Sequence, residues 1–193
     1  MILGIVASSA NAGGGATPPP SVGSFWPSEG GYYAGVVTYG DGRSFHLVLA
    51  EKVYRSSSVL QWRTTATATA GTYSIDDGVA NTAAMIAVGA ALHPAAQLSV
   101  SAAGGGYSDW YLPAENELII ISNVFNSAQA SPPTEFEVGG AQELPSNLHW
   151  SSTTVSTDPG RARGVAMLDS EVIGGYRKNF DPLRVAPVRR VAI

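Results

Sequence analysis

The chain of 193 residues has no cysteine, and this absence removes a set of chemistries. Disulfide bonds, zinc–thiolate sites and a cysteine nucleophile are all excluded. The fold must therefore depend on its core or on oligomerisation for stability.

Charged side chains are also scarce. They make up 13% of the residues, about half of the share of roughly 25% that is usual in soluble domains. A surface of Ser, Thr, Ala and Gly indicates packing into an assembly or an extracellular setting. The net charge of −4 argues against nucleic-acid binding, because nothing is basic enough to follow phosphates. We expect the basic cluster of Arg184, Arg189 and Arg190 to be solvated or ion-paired.

No apolar run approaches the roughly 20 residues of a transmembrane helix, so membrane insertion is not predicted. Residues 1–24 begin with a short apolar run and continue as a Gly/Pro-rich linker. We predict an N-terminal arm over residues 1–24 and a single domain over residues 25–193. A signal peptide cleaved after Ala12 is the alternative, although no Lys or Arg precedes its apolar run.

Alternating patterns predict a β-hairpin in the first part of the domain, with strands over residues 30–39 and 44–50. A third short strand is predicted over residues 58–63, and residues 64–72 form either an extended edge or a surface loop. Asp76 and Asp77 precede an Ala-rich helix that ends near Gly89, and a second short element begins at His93.

The stretch from Gly104 to Leu118 leads from a glycine turn into the strongest helix pattern of the chain. Pro113 is predicted as the first helical residue, with Glu115 and Glu117 in the first turn. The helix should end near Ala128. Its buried face should carry the residues at helical spacing: Ala114, Leu118, Ile121 and Phe125, widened by Ile120 and Val124.

The last third of the chain is β-like. We predict a strand over residues 148–154, a hairpin over residues 163–168 and 172–178, and a final strand over residues 184–191. Pro187 should then occupy an edge or irregular position. Strands followed by helices and then by strands indicate an α+β fold.

No catalytic or metal-binding motif accompanies this pattern. The three histidines lack metal-ligand spacing, and neither His-Glu-x-x-His nor Gly-x-Ser-x-Gly occurs. A triad of Asp109, His149 and Ser151 has no support in its spacing. The acidic clusters at residues 76–77 and 115–117 are explained by helix starts, so we predict no catalytic residue, metal or cofactor.

Three segments in this order resemble the DUF1566 (Lcl C-terminal domain) family. They are residues 105–113 with Glu117-Leu118, residues 149–153, and residues 166–175 followed by residues 185–191. The signature residues are Asp109, Trp110, Leu112, Pro113, Leu118, Trp150, Ser151, Ser152 and Arg189. The Trp-Tyr-Leu-Pro sequence at residues 110–113, with residues 30–35 upstream, resembles versions found in tailed-phage virion proteins.

The resemblance implies a C-type-lectin-like fold with two main helices, in which the chain ends pair and a long loop region presents a variable binding surface. It implies no catalytic residues. Relatives often have cysteines that this chain lacks, which leaves disulfides without support but does not affect the fold.

Two functions are expected from the resemblance. The first is a structural virion protein of the tail, fibre, baseplate, collar or head decoration, anchored by its arm and exposed on the particle surface. Its partners would be other virion proteins and its own copies, by analogy as a trimer. The second is a module that binds a host-surface glycan or protein. The candidates for stacking on sugars are Tyr32, Tyr33, Tyr54, Tyr73, Tyr107 and Tyr176.

Overall fold

The computed structural model describes residues 18–128 and 131–193, and these ranges contain two antiparallel sheets and three α-helices. The strands are β1 (Phe25–Trp26), β2 (Gly31–Thr38), β3 (Ser44–Ala50), β4 (Leu148–Thr154), β5 (Arg161–Ala166), β6 (Val172–Arg177) and β7 (Val188–Ala192). The helices are α1 (Gly78–Gly89), α2 (Pro94–Val100) and α3 (Glu115–Phe125). The predicted α+β class is confirmed. Most of the predicted arm, residues 1–17, lies outside the described residues.

The first sheet joins the beginning of the domain to its end, with the strand order β1-β2-β3-β7. The predicted hairpin of β2 and β3 is confirmed, and β7 lies antiparallel to β3 with Val188 opposite Leu49. The resemblance implies that the chain ends pair, but in this sheet the last strand pairs with β3, whereas β1 lies at the opposite edge. Pro187 directly precedes β7, an edge strand, where a missing N–H is tolerated.

The second sheet has the order β4-β5-β6. Strand β4 has the predicted bounds, and the predicted hairpin of β5 and β6 is confirmed, although β5 begins at Arg161 rather than Arg163. Helix α3 packs between the two sheets, against β2 and β5.

Helices α1 and α2 begin as the sequence predicts. The side chain of Asp77 accepts a hydrogen bond from the N–H of Ala80 at 3.0 Å, and Pro94 is the first residue of α2. Helix α1 ends at Gly89, whose φ of +143° suits glycine. Among the described residues no single helix is long and apolar enough to cross a membrane, and the segments Gly78–Leu92 and Pro94–Val100 qualify only as a pair bent by 110°.

The prediction that Pro113 begins the third helix was wrong, because α3 begins at Glu115 and Ala114 occupies the cap position. The preceding chain is extended because Tyr111 forms a bridge with Val188 of β7. The predicted end near Ala128 was also wrong. The helix ends at Phe125 because Asn126 is extended and pairs with Leu144.

Two predicted strands are shorter than expected. Residues 58–63 form only one bridge, between Leu60 and Leu183, and no strand. The carbonyl oxygen of Leu60 also accepts from the indole of Trp150, and the indole of Trp62 donates to the backbone of Ser151, so side-chain hydrogen bonds hold this segment in an irregular conformation. The final strand begins at Val188 rather than Arg184, since Arg184 instead pairs with His149. Residues 64–72 contain no strand.

The buried residues form three apolar clusters, one of which lies between α3 and the sheets. The predicted face of α3 is confirmed, since Ala114, Leu118, Ile121 and Phe125 are fully buried. The second cluster joins α1 and α2 to the second sheet through Trp62 and Trp150. The third surrounds Trp110.

Candidate functional site

A close contact between two backbone turns lies at the start of the signature stretch. Gly105 has a φ of +64°, and a Cβ atom placed on it would lie 2.6 Å from the Cα of Gly30. Gly30 also has a positive φ, of +69°. Only glycine fits these two positions without displacing backbone. The turns around residues 30 and 105 can therefore pack this closely because neither residue has a side chain.

Trp110 fills the space beneath this contact and is fully buried beside Trp26. A Cβ atom on Gly104 would lie 2.9 Å from Cζ2 of Trp110, and one on Gly31 would lie 3.0 Å from Cη2. The glycines on both sides thus let the indole ring approach the backbone, and Trp110 anchors the third cluster.

Arg189 ties β7 to both turns. Its guanidinium donates to Asp109 and to Glu29, each at 2.5 Å, and its Cζ lies 3.5 Å from the ring centroid of Tyr107. Because the side chain is nearly buried, two carboxylates and an aromatic face are needed to compensate the cation. Asp109 and Arg189 are therefore parts of one structural ion-pair cluster.

The second motif is attached to the signature stretch through the backbone. The N–H of Ser152 donates to the carbonyl oxygen of Pro113 at 2.7 Å, and Asn81 donates to the Ser152 hydroxyl at 3.1 Å. Leu112 is buried, and its backbone N–H donates to the Thr82 hydroxyl at 3.1 Å. These bonds connect α1, β4 and the signature stretch.

Trp150 and Ser151 fix the irregular segment that precedes α1. The indole N–H of Trp150 donates to the carbonyl oxygen of Leu60 at 2.7 Å. The indole N–H of Trp62 donates to the carbonyl oxygen of Ser151 at 2.9 Å. The Ser151 hydroxyl donates to the carbonyl oxygen of Arg163 at 3.0 Å. Trp150 and Ser151 are both fully buried, and their polar groups donate hydrogen bonds to backbone carbonyl oxygens.

A fully buried carboxylate lies beneath the start of α3, at Glu117. It accepts hydrogen bonds from the hydroxyls of Tyr39 (2.6 Å) and Tyr111 (2.7 Å) and from the N–H of Ala114 (2.8 Å). Burial raises its pKa to about 7. The sequence indicated only a helix-start charge here, and nothing in the local pattern links residues 39, 111 and 117.

The triad that can be drawn from Asp109, His149 and Ser151 is not assembled. Asp109 is bound to Arg189, and Nδ1 of His149 donates to the carbonyl oxygen of Asn147 at 3.0 Å. The Ser151 hydroxyl donates to the backbone. Burial lowers the pKa of His149 to about 4, so its ring is neutral at pH 7.

The two acidic clusters have structural partners. Asp76 accepts from the N–H of Gly40 and from the amide of Asn116, and Asp77 caps α1. In the second cluster, residues 115–117, each side chain has a partner of its own. Within residues 18–128 and 131–193 no group of three or more His, Asp or Glu could hold a metal ion.

A buried lysine lies against the second cluster without a carboxylate partner among the described residues. The Nζ atom of Lys178 donates to the hydroxyl of Thr154 at 2.8 Å and lies 4.0 Å from the ring centroid of Trp62. Burial lowers the pKa of Lys178 to about 7, and the nearby charge of Arg63 lowers it further. The aromatic face provides part of the compensation for this cation.

A cavity of about 310 Å³ opens between the turn after β3, the start of β4 and residues 184–185. Three cations line it, Lys52, Arg55 and Arg184, with Glu143 as the one carboxylate. The other lining residues are Ser56, Ser57, Leu144, Pro145, His149 and Val185. This basic cavity was not predicted, because its residues come from parts of the chain that share no local pattern.

A second, apolar groove of about 480 Å³ runs along α1. Val79, Ile86 and Val100 line it together with Trp110 and Tyr111. Of the six tyrosines named as candidates for sugar stacking, only Tyr73 is exposed. Tyr107 is taken up by its contact with Arg189.

The C-terminal basic cluster is expected to be solvated or ion-paired, and ion pairs are present for two of its three members. Arg189 and Arg190 are ion-paired, Arg190 with Asp77 at 3.1 Å. The guanidinium of Arg184 donates to the carbonyl oxygen of Ser57 at 3.5 Å, has no ion pair among the described residues and lines the basic cavity.

Comparison with known families agrees with the signature residues. A search of the curated proteins gives no match. The sequence model of the Lcl C-terminal domain family matches residues 51–189, which include the three helices, the second sheet and all nine signature residues. The chain therefore belongs to the Lcl C-terminal domain family.

Proposed function

We propose that the protein is a non-enzymatic structural component of a tailed-phage virion. Residues 1–24 attach it to the particle, and a domain of C-type-lectin-like fold over residues 25–193 is displayed on the particle surface. The tail, fibre, baseplate, collar and head decoration are the candidate positions. The fold assignment and the virion setting both follow from the resemblance.

The contacts made by the signature residues support the non-enzymatic part of the proposal. Asp109, Trp110, Trp150, Ser151 and Arg189 are occupied by packing, backbone hydrogen bonds or ion pairs. A catalytic group must instead be within reach of a substrate atom. The side chains that define the family motifs in this chain serve the scaffold.

Features of the surface support assembly with other subunits. Large apolar side chains are exposed at Val53, Val138, Leu168 and Phe180, and the apolar groove on α1 is open. Apolar surface that is left uncovered often marks contacts between proteins. We propose self-association, with a trimer as the arrangement by analogy, which light scattering on the purified chain measures directly.

The arm is tested by deleting residues 1–24 and measuring incorporation into particles. The truncated chain should fold with the circular dichroism of the full chain but should be missing from particles purified by density gradient. The full chain with Thr157→Ala, a change at an exposed residue outside these apolar side chains, serves as the control for changes elsewhere on the surface. Normal incorporation of the truncated chain would refute the anchoring role.

The second candidate function is recognition of a host-surface glycan or protein, and the basic cavity is the observation that favours it. The test is binding of labelled purified domain to cells that the phage infects, compared with cells that resist it. Equal binding to both kinds of cell would count against this function. The two functions are compatible in one chain.

A further inference from the structure

We infer that the basic cavity is a binding site for a small oxyanion, a carboxylate or phosphate group carried by a molecule of about monosaccharide size. The inference deepens the second candidate function and rests on it only for the source of the ligand. The site itself is argued from the charges, burial and size of the cavity.

Cations without an ion pair among the described residues line the basic cavity. Within the described residues, six of the nine arginines form ion pairs with Asp or Glu: Arg43, Arg161, Arg163, Arg177, Arg189 and Arg190. Two of the remaining three, Arg55 and Arg184, line the basic cavity together with Lys52. The protein as a whole is acidic, so this local excess of positive charge opposes the general composition.

Arg55 is a buried cation of this cavity, with only 8% of the residue exposed. Its guanidinium donates to neutral oxygens, at 2.8 Å to the carbonyl and 3.1 Å to the side-chain oxygen of Gln142. Its Nε–H has no acceptor among the described residues. Burial lowers its pKa to about 10, so the group stays charged at pH 7. A buried charge without a counter-ion is costly, and a bound anion would offset that cost.

Glu143 is the one negatively charged group among the described residues that line the cavity. Burial lowers the pKa of His149, so it is neutral at pH 7, and the charges of Arg184 and Arg55, which line the same cavity, lower the pKa further. Because Nδ1 of His149 donates to a carbonyl oxygen, Nε2 is left as an acceptor. The cavity thus offers cationic donors beside a neutral imidazole ring.

The size and lining of the cavity suit a small ligand. The volume of about 310 Å³ lies at the lower end of the range of about 300–1,000 Å³ for ligand pockets. Ser56 and Ser57 contribute hydroxyl groups, whereas Leu144, Pro145 and Val185 form an apolar wall. This lining suits a molecule with one charged group and a compact ring bearing hydroxyls.

The test compares three matched probes on the full chain: glucuronate, glucose 6-phosphate and glucose. Titration calorimetry at low salt should detect binding of at least one charged sugar, with glucose at least tenfold weaker. The ranking of glucuronate against glucose 6-phosphate identifies the oxyanion. Because the interaction is electrostatic, added NaCl should weaken it. Binding of neither charged sugar, or equal binding of glucose, would overturn the inference.

Variants locate the site. Arg184→Gln and Lys52→Gln should each weaken the charged probe by about tenfold, the loss expected for one charge-assisted hydrogen bond. Arg177→Gln removes the same charge from an exposed pair with Asp181, away from the cavity, and should leave affinity unchanged. Equal losses in all three variants would mean that overall charge, not the cavity, binds the anion. None of these results bears on incorporation into particles, so the virion proposal fails or stands separately.

Discussion

Gly105 offers the sharpest test of how the fold is held together, because Gly106 beside it is a matched control. Both glycines have positive φ, +64° and +80°, so alanine at either position is strained. A Cβ atom on Gly105 would lie 2.6 Å from the Cα of Gly30, whereas one on Gly106 would have nothing within 4 Å. The pair of substitutions therefore separates steric contact from backbone strain.

The expected costs follow from these two terms. Left-handed backbone costs a non-glycine residue roughly 1–2 kcal/mol, and the loss of unfolded-state freedom returns about 0.4–1 kcal/mol. Gly106→Ala should therefore lower the free energy of unfolding by about 1 kcal/mol. Gly105→Ala adds overpacking against rigid backbone, about 1–3 kcal/mol, and should cost about 3 kcal/mol in all.

Urea unfolding followed by tryptophan fluorescence measures the two free energies, and thermal melts measure the melting temperatures. Trp110 beneath the contact is one of the four tryptophans that contribute to the signal. For a domain of this size the extra cost of Gly105→Ala should appear as a melting temperature about 4–8 °C below that of Gly106→Ala. A double-mutant cycle of Gly30→Ala with Gly105→Ala should be non-additive, because either change alone separates the two turns. Equal costs for Gly105→Ala and Gly106→Ala would refute the close contact as a determinant of stability.

Three further predictions concern the buried charges. The pKa of Glu117 is raised to about 7 from an ordinary 4.5, so the free energy of unfolding should fall by about 3 kcal/mol as pH rises from 4.5 to 7. Urea titrations of Glu117→Gln should lack this dependence on pH. An unchanged pH dependence in Glu117→Gln would refute the role of this carboxylate. The pKa of Lys178 is lowered to about 7 from 10.5, so the free energy of unfolding should rise between pH 7 and pH 10.5 in the wild type but not in Lys178→Met. The same pH dependence in both proteins would refute this prediction. Arg189→Gln should cost about 3 kcal/mol because Asp109 and Glu29 lose their cation, whereas the exposed pair lost in Arg177→Gln should cost less than about 1 kcal/mol; comparable costs in thermal melts would show that the Arg189 cluster adds no more than a surface pair.

Local pattern accounts for the elements that the sequence predicted well. The hairpin of β2 and β3, strand β4 and helix α1 are bounded by turn residues or caps adjacent to them, such as Asp77. Alternation and helical spacing then determine which side faces the core. The buried face of α3 was predicted in the same way.

The errors arose where distant residues decide the backbone. Helix α3 begins after Pro113 because Tyr111 pairs with Val188, and it ends at Phe125 because Asn126 pairs with Leu144. Neither partner is recognisable from the residues next to the helix. The role of Glu117 was missed for the same reason, since its two tyrosine partners come from the end of β2 and from the bridge before α3.

The basic cavity shows how recognition of a family can describe a scaffold and still leave its ligand undetermined. The signature residues maintain the contacts between sheets, helices and turns, so their presence predicts the arrangement of the backbone. Lys52, Arg55 and Arg184 lie outside the signature, and the cavity depends on them for its charge. Changes at these three positions would alter what the cavity binds without disturbing Trp110 or Arg189. The ligand class of a relative therefore has to be argued from its own lining residues, even where the signature is complete.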